Sequence, residues 1–218
     1  MRLAPCWVLV SGLCACTKAS TGMAGTSPSG RDATPTPVAN APPAASGGPA
    51  VAGPSELTAR SFPLPGATGP VTVDYLVCDR RRSRVWVPVG DTGSVDVFDV
   101  AAGTFTVVGG FSTLERDAHG KKRRMGPSAA TVGDGFVYVG NRATSEVCAV
   151  DDRTLTVTNC LELQTPTDGV AYVASTREVW VTTPRDHSLT VLDASKPDAL
   201  KPRSVIRIDG GPEGYAVD

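Results

Sequence analysis

The sequence predicts an all-β fold, a β-propeller of four-stranded blades, and three observations predict it. First, a composite motif recurs: an aromatic-centred strand, a short loop, and a second strand ending in Asp. Val85-Trp86-Val87 leads to Ser94-Val95-Asp96-Val97-Phe98-Asp99, Val137-Tyr138-Val139 to Glu146-Val147-Cys148-Ala149-Val150-Asp151, and Val179-Trp180-Val181 to Ser188-Leu189-Thr190-Val191-Leu192-Asp193. The central aromatics stand 52 and then 42 residues apart, and Asp99, Asp151 and Asp193 keep the same spacings. Two anchors holding one register, at a period in the forties built of short strands, mark propeller blades. Second, β-branched and aromatic residues alternate over short runs punctuated by Gly, Pro, Asp and Asn, with no apolar stripe at helical spacing. Third, each repeat opens on a proline, at Pro70, Pro127, Pro166 and Pro212. Proline suits a strand entry, where its missing N–H is not needed.

Taken in order, the chain opens with a processing segment, residues 1–16. Arg2 supplies the positive start, Trp7-Val8-Leu9-Val10 the apolar core, and Leu13-Cys14-Ala15-Cys16 a small residue before a cysteine. The apolar run is too short to span a bilayer as a helix of roughly 20 residues. The arrangement resembles a bacterial lipobox, which implies lipidation of Cys16; an ordinary cleaved signal peptide is the alternative. Either route implies export to an oxidising or cell-surface environment. The expected location is the cell envelope, lipid-anchored at the outer membrane or cell surface, else periplasmic or secreted. Residues 17–60 read as a disordered linker dominated by Pro, Ala, Gly, Ser and Thr, with no aromatic residue between Trp7 and Phe62. Such a segment buries too little apolar surface to offset its ordering entropy.

Residues 61–218 carry the propeller repeats. The first is expected to have strands at Val71–Val77, Val85–Val89, Val95–Phe98 and Thr104–Val108. The second has Ala129–Val132, Phe136–Val139, Val147–Val150 and Thr156–Cys160. The third has Val170–Val173, Glu178–Val181, Leu189–Leu192 and Arg203–Ile208. The longer first spacing comes from an insertion within Leu114 to Gly126, read as a loop. Glu213 to Asp218 reads as the innermost strand of a fourth blade. A propeller closes with roughly 4–8 blades, so the chain is expected to be the N-terminal portion of a longer parent. An open half would favour self-association through its unpacked flanks.

Val137-Tyr138-Val139-Gly140-Asn141-Arg142, followed by Ser145 to Asp151, resembles the YVTN-type repeats of seven-bladed propellers. The chain from Pro70 to Asp218 is similar to the YncE-like family of exported propellers. Gly140 stands where the repeat usually has Thr, and Thr182-Thr183 replaces Thr-Asn in the third repeat. The resemblance implies a seven-bladed parent and a binding or scaffold role, without a common catalytic mechanism.

The net charge of −1 gives no global pull toward nucleic acid or an anionic membrane. In a propeller, the loops between second and third strands share one face with the starts of the innermost strands. That face would carry Asp91, Asn141, Arg142, Arg185, Asp186 and His187, together with Lys121, Lys122, Arg123 and Arg124 of the insertion. Loops on a rigid scaffold are the usual place for binding residues. Asp74, Asp168 and Glu213 occupy like positions at inner-strand starts; as a ring of oxygens they could hold Ca²⁺ or another divalent metal, or else serve as structural acids. A second basic cluster, Arg80-Arg81-Arg82-Ser83-Arg84, belongs to the opposite face. Neither cluster has interleaved aromatics for base stacking, so nucleic acid is disfavoured as a partner. Cys148 and Cys160 fall on adjacent antiparallel strands and reach a disulfide if they are directly opposed. Cys78 is expected buried and free, or paired beyond Asp218. His119 and His187 are the only histidines, both in loops, and no recognised hydrolase or phosphate-cradling motif is present.

The expected function is therefore non-catalytic and without a cofactor: a lipid-anchored propeller presenting its loop face to a small ligand or protein, with the membrane engaged only through the anchor. The alternatives are a metal-dependent lactonase-like hydrolase using Asp74, Asp168 and Glu213 with His187 as base, or a binder of anionic polymers through the basic 115–126 loop.

Overall fold

The computed structural model describes residues 7–8, 58–118 and 120–215. The expected lipidation site Cys16, the linker up to residue 57, and His119 lie outside the described residues. Strand β1 (Trp7–Val8) pairs antiparallel with β2 (Phe62–Pro63). Three four-stranded sheets follow in chain order, each a meander of sequential neighbours. Blade I comprises β3 (Val77–Asp79), β4 (Arg84–Val89), β5 (Ser94–Asp99) and β6 (Thr104–Val108). A hairpin of β7 (Leu114–Ala118) and β8 (Lys121–Met125) then precedes blade II. That blade has β9 (Pro127–Val132), β10 (Phe136–Asn141), β11 (Glu146–Asp151) and β12 (Val157–Glu162). Blade III has β13 (Val170–Val173), β14 (Glu178–Thr183), β15 (Ser188–Asp193) and β16 (Lys201–Arg207). Consecutive four-stranded antiparallel meanders stacked face to face are propeller blades.

The recurring aspartates are turn residues. Asp99 Oδ1 accepts hydrogen bonds from the backbone N–H groups of Ala101 and Ala102, and Asp151 Oδ1 from those of Arg153 and Thr154. Asp193 Oδ1 accepts from Ser195 N–H. An Asp side chain that imitates a backbone turn ends the third strand and reverses the chain. These turns close on left-handed Gly103 and Leu155, and Gly93 and Ser145 take the same conformation at equivalent places in the β4–β5 and β10–β11 loops. Gly93 is also required by space, since a Cβ there would lie 2.5 Å from the Phe111 carbonyl oxygen.

Trp86 and Tyr138 pack one blade on the next, whereas Trp180 is half-buried with its indole N–H donating to Glu178 at 3.0 Å. Trp86, Val95 and Val97 of blade I meet Val137, Val139, Cys148 and Val150 of blade II in one buried cluster. Tyr138, Val147 and Ala149 of blade II meet Val179, Val181 and Leu192 of blade III in a second. Alternation along each strand sends odd and even residues to opposite blade faces, so one aromatic per repeat suffices to set the register. The other flank of blade I, with Val85, Val87, Val89 and Phe98, is covered by Phe62, Leu64, Val71 and Val73.

Most strands fall within a residue or two of the expected bounds, and four points differ. The innermost segment of blade I does not run as a strand from Val71 to Val77. Tyr75 instead forms a parallel bridge with Ala129 of blade II, its N–H donating to Ser128 O and its carbonyl accepting from Ala130 N–H, both at 3.0 Å. The insertion is a β-hairpin, reversing at a turn in which left-handed Gly120 donates its N–H to Asp117 Oδ1. Residues 208–215 form no strand, and 216–218 lie outside the described residues, so the expected fourth inner strand is not formed over its described part. Cys78 is free and exposed rather than buried, since it sits on the solvent side of the short strand β3.

Candidate functional site: an arginine-lined cleft on the loop face

The β4–β5, β10–β11 and β14–β15 loops lie at one end of the blades, and the hairpin joins them there. Pro127 opens β9 directly after the hairpin, so Met125 and Gly126 carry the basic arm onto the blade mouth. Gly126 approaches the β4–β5 loop so closely that a Cβ would lie 2.4 Å from Gly90 O. Strand pairing sets Glu115 opposite Arg124 and Arg116 opposite Arg123. Residues opposed in a ladder share a face, which puts Arg116 and Arg123 together.

A cleft of about 370 Å³ opens between hairpin and blades, with Arg116, Arg123, Arg124, Arg142 and Arg185 in its wall and Asp117 as the one acid. Among the described residues, no carboxylate lies within salt-bridge distance of Arg116, Arg123 or Arg185. Ser128 also lines the cleft, and its buried Oγ has no hydrogen-bond partner. Lys122 is drawn away to Glu115 at 2.8 Å, and that contact holds the Glu115 carboxyl below its ordinary range. The Lys121 side chain lies outside the description.

A second cleft of about 440 Å³ shares Met125, Arg142 and Arg185 with the first and contains Asp74, Asp168 and Glu213. The three acids are thus near one mouth, but a protein cation stands among them. The Arg142 guanidinium pairs with Asp74 at 2.8 Å and also with Asp168. Asp168 Oδ2 further accepts from the Tyr75 hydroxyl at 3.3 Å. Burial, followed by the Asp74 and Glu213 charges, pushes the Tyr75 phenol up and keeps it a donor. Among the described residues, the one group of three metal-ligating atoms within 4.8 Å of one another is Glu146, Cys148 and Cys160. Both of its cysteines are joined in a disulfide, with Cys148 directly opposite Cys160 on β11 and β12.

The remaining loop-face residues are engaged by the framework. Asp91 Oδ2 accepts from Thr72 N–H at 2.6 Å. Asn141 is buried, donating to Ser112 O and accepting from Ala143 N–H. Asp186 pairs with Arg207 at 2.8 Å and accepts from Ser188, and the Arg207 contact above all holds its carboxyl low. His187 adopts a left-handed backbone, and its Nδ1 lies 2.6 Å from Gly210 O. Of the residues singled out from sequence, the cleft gathers Arg123, Arg124, Arg142 and Arg185. Arg116 and Ser128 were not among the chosen ligand residues. The signal for Arg116 is Gly120 as a hairpin turn residue, which sets Arg116 opposite Arg123 once the insertion is read as two strands.

On the opposite face the Arg80–Arg84 cluster joins blades I and II. Arg81 donates to Gly133 O, Arg82 pairs with buried Asp152 at 2.8 Å, and Arg84 donates to Asp152 O at 3.0 Å. These exposed or half-buried arginines make inter-blade contacts.

No protein-family model matches the chain, and no curated protein matches it. Solved structures do. A protein from Lactobacillus plantarum is similar at TM-score 0.55 and 12% identity, over 72% of this chain and 48% of that one. Kuenenia stuttgartiensis hydrazine synthase is similar at TM-score 0.52 and 16% identity, over 68% of this chain and 40% of that one. A chain of the mitotic checkpoint complex is similar at TM-score 0.52 and 15% identity, again over 68% and 40%. This chain therefore spans under half the length of these structures, and at such identities the likeness speaks for the fold alone.

Proposed function

We propose that this chain belongs to an exported propeller of the YncE-like, YVTN-repeat kind, lipid-anchored through Cys16 in the cell envelope, whose loop face binds an anionic ligand or partner without catalysing a reaction. The observation that carries the reading is the cleft wall. Arg116, Arg123 and Arg185 bring positive charge to one concavity in which Asp117 is the single acid, and none of the three is ion-paired among the described residues. A concave site lined by one sign of charge concentrates ions of the other sign. The Cys148–Cys160 disulfide supports the export part of the proposal, because such bonds persist in oxidising compartments. The metal-dependent hydrolase alternative has less support, since Asp74 and Asp168 are already committed to Arg142.

Amide hydrogen exchange in the presence and absence of a desalted envelope extract tests the reading. Slowed exchange is expected in the loops at 90–93, 140–145 and 184–187 and in the hairpin. Protection confined to the Arg80–Arg84 face would overturn it. So would turnover of a lactone that depends on added Ca²⁺ or Zn²⁺ and is abolished by Asp168→Asn.

A further inference from the structure

We infer that the arginine-lined cleft is a site for a small phosphorylated ligand, with one phosphoryl group seated among Arg116, Arg123 and Arg185 and next to Ser128 Oγ. The inference rests on the loop face being a binding face, and it names the chemistry that face selects.

The argument is one of donor supply. Each guanidinium presents five N–H donors in a planar fork that suits two oxygens at once. A carboxylate has two oxygens and about four lone-pair sites, which two forks can satisfy. Three forks without a carboxylate partner among the described residues exceed what one carboxylate accepts. A phosphoryl group, with three terminal oxygens and up to two negative charges, accepts from all three. Ser128 adds an independent observation. The residue is 6% exposed and lines this cleft, and its buried Oγ has no partner. A buried hydroxyl is almost always hydrogen-bonded, and a turn of the Ser128 side chain toward the cleft would let an anion's oxygen satisfy it.

Arg142 acts differently from the three. Its charge is held by Asp74 and Asp168, so it forms the wall between the two clefts and is not free to close on a ligand. A volume of about 370 Å³ exceeds what a single phosphate fills and lies at the lower end of ordinary small-molecule sites. The ligand is therefore a phosphate carried on a compact second group, such as a further phosphate or a sugar.

Titration calorimetry with sodium tripolyphosphate at about 150 mM salt tests this, with glutarate as the carboxylate probe. Saturable one-to-one binding of tripolyphosphate is expected. Arg123→Gln and Arg185→Gln should each weaken it about tenfold, as the loss of one charge-assisted contact predicts. Ser128→Ala should weaken it a few-fold, and Arg153→Gln on the opposite face should leave it unchanged. Matching melting curves for the variants exclude a folding artefact. Tripolyphosphate binding that is equal in all variants would overturn the inference, as diffuse attraction. Tighter binding of glutarate would overturn the choice of phosphoryl while leaving the loop-face reading intact. No binding of either probe would also overturn the site, and loop-face protection by the extract would then still separate this failure from failure of the binding reading.

Discussion

Two arginine-rich stretches lie at opposite ends of the same blades, and they have been put to opposite uses. Arg81, Arg82 and Arg84 face Asp152 and the Gly133 carbonyl of the next blade, so their charges are spent on holding blade I to blade II. Arg116 and Arg123 face a cleft in which Asp117 is the single acid, and their charges remain available. Local density of positive charge is the same reading in both. The difference lies in what the fold places opposite each guanidinium, so a basic cluster becomes a structural clasp or a binding wall according to its acceptors. Arg142 shows both at once, lining the cleft while clamped by two acids.

The sharpest way to break the comparison is Arg142→Ala. Asp168 is buried to 9% side-chain exposure, and Arg142 is itself 27% exposed. Removing one partner of a buried pair leaves the other charge uncompensated. A loss of about 2–3 kcal/mol is expected in denaturant unfolding, less than for a wholly buried pair. If Arg142→Ala melts like the wild type, the clamp is a surface contact and the division between clasp and wall fails. Next in size is Asp152→Ala, which frees Arg82. A cost of about 1–2 kcal/mol is expected, discounted because the Arg82 side chain is 35% exposed. Arg116→Gln, by contrast, should stay within about 0.5 kcal/mol of wild type.

A buried charge with too few acceptors or donors makes the same point with the sign reversed. Asp96 is fully buried, one oxygen accepts from Ser94 at 2.9 Å, and the other has no partner. Burial raises its carboxyl above the ordinary value, and the Ser94 hydrogen bond offsets only part of that. An acid whose folded value is raised costs stability once it ionises. Asp96→Val is expected to gain about 1 kcal/mol at pH 7. The gain should shrink as pH falls from the raised folded value toward the unfolded one near 4. A loss at pH 7, seen in chemical unfolding, would mean that Asp96 has a partner in solution.

The blade register was legible because it is written locally. Trp86, Tyr138 and Trp180 each sit a fixed distance from a turn Asp, and each Asp turn closes within a few residues. The inner strand of blade I was not, since Tyr75 pairs with Ala129 across a whole blade rather than with β4. The same holds for the site. Read as a loop, the insertion did not reveal that Arg116 stands opposite Arg123, and nothing near Arg142 in sequence announces Asp74, which lies 68 residues away. Acid positions could be read as a ring; the arginine that enters the ring could not, because its place depends on how blades II and III stack.

The smallest expected effect concerns the turns themselves. The Asp151 carboxyl is held low by the Thr154 and Arg153 N–H groups, and Asp193 by Ser195 through its side chain and its backbone. A folded value below the unfolded one means that the stabilisation is fully present above the unfolded value, near 4, and is lost as pH falls through the folded one. On the loop face Asp186 behaves alike through Arg207, whereas arginines do not titrate in this range. The clasp end should therefore weaken below about pH 4. Melting temperature recorded from pH 5 to 2 is expected to fall less steeply in Asp151→Asn/Asp193→Asn than in the wild type. Parallel slopes would show that these turn acids are as strongly solvated in the unfolded chain as in the blade, and that acid sensitivity arises elsewhere.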